Sequence, residues 1–190
     1  NKKEKKSRLI TFWKYELPLL FFKRRKELLI SFSVFIISII IGVISSTGDT
    51  GFVRLILGDS YVNMTLENIE QGDPLAVYKK MNGVDMFMGI TFNNIRVSFF
   101  TFIAGLFFSI GTILLLLYNG IMLGTFHHLF YTHSLLLKSL SVIWIHGTLE
   151  ISSIIIAGAA GLILGNSILF PKTDRKSTPL NSSHRMPSRM

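Results

Sequence analysis

His146 and Glu150 stand four residues apart in the stretch "WIHGTLEIS", 144 to 152, where the chain enters a run of Ile, Ala, Gly and Leu. Four residues is about one helical turn, so imidazole and carboxylate share a helix face, and that face must be turned away from lipid. Three chemistries fit the pair. In the structural one, Glu150 accepts from His146 or from donors of a neighbouring helix and fixes the register of a helix seam. In the second the pair relays protons or ions: a carboxylate in a bilayer costs on the order of a few kcal/mol even on the lenient insertion scale, so such residues are functional candidates. In the third, His127, His128, His133, His146 and Glu150 meet at one membrane face and hold a metal. Against the metal, adjacent histidines point about 100° apart on a helix, and no His-Glu-x-x-His occurs. We read the pair as structural and assign no catalytic, cofactor-binding or metal-ligating residue.

Other polar and small residues sit in apolar surroundings. Asn119 stands beside Gly120, with Gly124 one turn on. An amide there needs a hydrogen-bond partner, and the glycines let another backbone come close enough to supply one, so we read packing ahead of a pore-lining role. Asn93 and Asn94 precede an apolar run and are expected to cap the exposed N–H groups of its helix. Ser153, Ala157, Gly161 and Gly165 recur every four residues, and Glu150 falls within roughly 60° of them. Such a small-xxx-small stripe favours close helix association in lipid. Gly147, next to His146, joins these packing candidates, and Glu150 is expected at the outer end of the seam, held by His146 or by partners on the third helix.

The elements that must position these residues are membrane helices. The chain has 190 residues, 49% hydrophobic and 16% charged, with the apolar residues gathered in blocks. Cysteine is absent, which excludes disulfides, thiolate metal sites and cysteine nucleophiles. The net charge of +9 sits at membrane edges: residues 1–27 hold ten Lys/Arg against three Glu, residues 45–96 four Lys/Arg against six Asp/Glu. An orientation signal accounts for this better than a nucleic-acid partner, and none is expected.

Residues 1–27, with Pro18 inside "SRLITFWKYELPLLFFKRRKE", read as a basic amphipathic leader on the cytoplasmic surface. The run 28–44 is the first transmembrane helix, its start pinned inside by "KRRK" at 23–26, and no small-residue cleavage site marks it as a signal peptide. Residues 45–91 form an extracytoplasmic insert, in which 64–82 make one or two short helices starting near Thr65 and broken by Gly72 and Pro74. From Ile95 to Tyr131 the chain is apolar for 37 residues, too long for one pass. The membrane domain 92–171 therefore holds three further helices, about 92–109, 112–131 and 142–170. The turn is expected at "FSIGT", 108–112, with "YNG", 118–120, as the alternative. Residues 172–176 are a cytoplasmic basic end. The polar stretch 177–190 reads as a translated adapter or vector scar, and Asn1 in place of Met as the mark of a fragment.

"FNNIRVSFFTFIAGLFFSIGTILLLLYNGIMLG", 92–124, followed by "IHGTLEISSIIIAGAAGLILGNSILFP", 145–171, resembles the stage II sporulation protein M family. The resemblance rests on the Asn-Asn pair, the Asn-Gly-x-x-x-Gly segment and the His-Gly-x-x-Glu opening of the glycine-rich helix, in this order. Ile145 stands where members usually have Pro, and members usually continue past the "FPKTDRK" region into a further apolar helix. The resemblance implies a multi-pass helical protein of the bacterial cytoplasmic membrane without established catalysis. The expectation is an all-α polytopic bundle, N-terminus inside, that takes no cofactor. Its partners would be the lipid bilayer and other membrane or envelope proteins, or further copies of itself, with no small-molecule substrate assignable. The alternative is a transporter or channel subunit with a polar path through Glu150, His146 and Asn119.

Overall fold

The structure, a computed structural model, describes residues 8–73 and 83–171, without the side chains of Met86, Val142, Ile143, Ile145 and His146. The described residues are helical, with no strand. A π-helical turn Phe12–Glu16 leads into α1, Leu17–Lys23, with Pro18 in its first turn. Arg24 breaks the helix at φ −105° and ψ 19°, and α2 runs Arg25–Thr47. Two short helices follow, α3, Thr50–Leu57, and α4, Asp59–Glu70. Three long helices follow among the described residues: α5, Gly83–Ile103, α6, Ile110–Thr132, and α7, Leu136–Leu169.

Among the described residues, three 23-residue stretches are long and apolar enough to cross a membrane: α2, α6 and Gly147–Leu169 of α7, with mean hydropathies of 2.8, 1.5 and 1.8. Each is roughly 35 Å long at 1.5 Å per residue, enough for a hydrocarbon core of about 30 Å. Helix α5 carries Asp85, Asn93, Asn94 and Arg96 and is not among them, yet it lies along α7 in the same direction. Ser98 pairs with Ser153, and the Thr101 carbonyl stands over Gly161. Helix α6 runs parallel to α2, Gly120 against the Phe35 carbonyl and Gly124 against that of Ile39. Helix α7 opposes α2, Ser31 donating to the Ile155 carbonyl at 2.8 Å. The result is an up-down-up-down bundle centred on Phe35, Leu116 and Ile154.

Several boundaries differ from the sequence reading. Helix α5 starts at Gly83, not at 92, because "MFMGITF" carries no stop signal and simply extends it. Asn93 and Asn94 therefore lie in its fourth turn and not at its N-terminus. The reversal before α6 occupies Ala104–Leu106, a 3-10 turn, and Phe107–Ser109, with Phe108 and Ser109 at φ 53° and 68°. The helix has already resumed at Ile110, so only the start of the expected 108–112 turn coincides with it, and the alternative turn at 118–120 falls inside α6.

Helix α4 begins at Gly58–Asp59, where Gly58 has φ 85°, and ends before Gly72 at φ 76°. Thr65 is inside it, its hydroxyl donating to the Tyr61 carbonyl at 2.8 Å, and is not its N-cap. The second half of the expected insert helix, 74–82, and the ends 1–7 and 172–190 lie outside the described residues. Val53 of α3 and Val62 of α4 pack on Leu129, which seats both short helices on the C-terminal end of α6.

Candidate functional site

Small residues make the seams. A Cβ on Gly124 would run into the Ile39 carbonyl, one on Gly120 into Ser38, and one on Gly42 into the Ile121 carbonyl, so α2 and α6 touch backbone to backbone. On α7, Gly161 faces Thr101 and Thr112, and Gly165 faces Ser109 and the Gly105 carbonyl. The stripe thus lies against α5 and the α5–α6 reversal. Ser153 continues it toward Ser98 at 3.2 Å, and Ala157 between them is half-buried. Two hydroxyls are satisfied across these seams: Thr112 donates to the Thr101 carbonyl at 2.9 Å, and Ser109 to that of Leu162 at 3.2 Å.

Glu150 is half-buried at the upper end of the stripe. Its partner is Asn93 of α5, whose Nδ2 donates to Oε1 at 3.5 Å. That is long for a bond to a charged acceptor, and the partner stands on the second long helix rather than the third. Asn94, one residue on, is half-buried with its Oδ1 unpartnered among the described residues. The side chain of His146 lies outside the described part, so the His146–Glu150 pairing is not described either.

Glu150 also lines a cavity of about 410 Å³ between α2, α6 and α7, roofed by Ile56 and Leu57 of α3 and Tyr61 of α4. Gly147 and Asn119 share this wall. Asn119 is buried and donates to the Leu115 carbonyl of its own helix at 2.8 Å. Its described hydrogen bond stays within α6, while the glycines beside it meet α2. Of the sequence candidates, the cavity gathers Asn119, Gly147 and Glu150. Gly120, Gly124, Gly161 and Gly165 stay in the seams.

Sequence reasoning missed the aromatic wall. His127 Nδ1 lies 2.7 Å from the Leu123 carbonyl and must carry the proton there, so Nε2 is free to accept from the indole N–H of Trp144 at 3.1 Å. Tyr118 and Phe126 line the same space. A Trp two residues before His146, at the edge of an apolar block, was the available signal. Among the described residues no three of His, Asp and Glu come close enough to hold a metal ion.

Compared with known proteins, residues 31–186 match the family model for stage II sporulation protein M. Neither a curated protein nor a solved structure matches.

Proposed function

Because the chain belongs to the stage II sporulation protein M family, a family of membrane proteins, we propose that it is a non-enzymatic integral component of a cell-envelope assembly. We place it in the bacterial cytoplasmic membrane with its N-terminus inside and α2, α5, α6 and α7 as four passes. Arg96 supports the assembly reading. It is exposed on α5, between the levels of the Asn93–Glu150 and Ser98–Ser153 pairs and so below the α3–α4 roof. Its described contact is the Phe100 ring, 5.9 Å from the guanidinium carbon. The ion pairs among the described residues, Arg24–Glu27 and Arg54–Asp59, do not involve it.

A cation on a lipid-facing helix is costly, and a carboxylate brought by another helix would relieve that cost. We read the α5 face of Arg96 as the side that meets an acidic transmembrane partner or a second copy. A pull-down from gently solubilised membranes tests this. Arg96→Leu should lose the captured partner while the bundle keeps its helicity and abundance. Unchanged capture would remove the assembly reading's support.

The second reading, a transporter or channel subunit, is favoured by the cavity that holds Glu150 and Asn119. Flux in proteoliposomes that Glu150→Gln abolishes would support it.

A further inference from the structure

The 410 Å³ cavity is within the size range of small-molecule sites, which are mostly apolar with a few placed polar groups. Among the described residues, Glu150 is the one acidic side chain on its wall. Around it stand the aromatic rings of Tyr61, Tyr118, Phe126 and Trp144, with Asn119 as the polar neighbour. Among the described residues no cation pairs with Glu150, and its hydrogen bond from Asn93 is long and neutral. Tyr118 and Trp144 are 55% and 43% exposed, so the space opens between α6 and α7.

A carboxylate in an aromatic-walled recess selects its ligand by charge. A neutral ligand would leave the carboxylate uncompensated, and an anion would be repelled. A positive group would meet the carboxylate and the aromatic lining together, and cation–π attraction is how aromatic cages hold quaternary ammonium ions. An apolar body behind that group would cover the aliphatic floor of Leu123, Ile151 and Ile154.

We propose that this cavity binds an amphipathic organic ammonium, its cation at Glu150 and its apolar part against the α6–α7 wall. The inference deepens the cavity reading and is independent of the assembly reading. Binding without flux would end the transport reading and leave this site standing.

The test uses the full chain in nanodiscs with Trp13→Phe, which leaves Trp144 as the single indole of the two in the sequence. Benzyltrimethylammonium should change Trp144 emission saturably. Glu150→Gln, shown folded by its circular dichroism, should weaken binding about tenfold or more, since an exposed-to-desolvated cation contact of this kind carries that much. Benzenesulfonate, of similar size and opposite charge, should give no saturable response. Equal responses to the two ions, or full affinity in Glu150→Gln, would overturn the proposal.

Should Glu150→Gln fail to fold, Tyr118→Leu at the open rim serves in its place. It should weaken the cation severalfold, and unchanged affinity would count against the site. The ammonium could be a lipid headgroup or a free amine. Nanodiscs of phosphatidylethanolamine should compete with the probe in the first case and match phosphatidylglycerol discs in the second. Both results keep the inference and assign the source.

Discussion

Asn93 of α5 reaches Glu150 of α7 across 57 residues of chain, amide nitrogen to carboxylate oxygen at 3.5 Å. The contact joins two helices at the edge of the cavity and makes Glu150 both a seam residue and a wall residue. Glu150→Gln keeps the shape and a hydrogen bond while removing the charge, so the fold should tolerate it: normal membrane abundance, with a melting temperature in detergent within a few degrees of the parent. Abundance collapse in the Gln variant would show that the bundle itself requires the charge.

Asn93→Ala removes that single long bond. Hydrogen bonds between membrane helices average about 0.6 kcal/mol, so the loss should be small, about 1 kcal/mol or less in a reversible unfolding measurement. A loss above about 3 kcal/mol would mean that Asn93 holds more than the Glu150 oxygen.

Gly161→Leu should separate α7 from the α5–α6 reversal, because even a Cβ there meets the Thr112 hydroxyl and the Thr101 carbonyl. Overpacking of this kind costs about 1–3 kcal/mol or more and should reduce abundance several-fold. Ile163→Leu, nearly equal in volume at a half-buried position, should be mild. Equal accumulation of the two would place the seam on another face.

Trp144→Phe keeps an aromatic ring and strands the acceptor nitrogen of His127; His127→Phe strands the indole N–H. A double-mutant cycle should return a coupling of about 0.5–1 kcal/mol. Strict additivity would mean that the two rings merely lie side by side.

Orientation is directly measurable, since the chain has no cysteine to interfere. Cysteine at the exposed Glu70 should react with an impermeant maleimide on intact cells, and cysteine at the exposed Lys14 only after rupture. The reverse pattern would invert the topology.

Helices α2, α6 and most of α7 were legible because uninterrupted apolar blocks and flanking Lys/Arg are local signals. The start of α5 was not: Asp85 and the Asn93–Asn94 pair look extramembrane in the sequence, and it is Glu150, far along the chain, that gives Asn93 a partner. The reversal was misplaced by a few residues because Phe108 and Ser109 adopt positive φ themselves, whereas the glycine that drew attention, Gly111, continues the helix. The small-residue stripe on α7 was visible as a period, but periodicity names no partner. That Gly120 and Gly124 belong to α2, and that the cavity wall is aromatic, follow from packing between distant segments.

The backbone-to-backbone contact between Gly42 and the Ile39 carbonyl on α2 and the Gly120–Gly124 segment of α6 joins pieces separated by about 80 residues. At roughly 5–20 residues per second, α2 emerges from the ribosome some 4–16 s before its mate. During that interval its glycine and serine face has lipid where α6 will lie. Insertion and docking are thus two events in time, and whatever shields a newly inserted helix acts on α2 first.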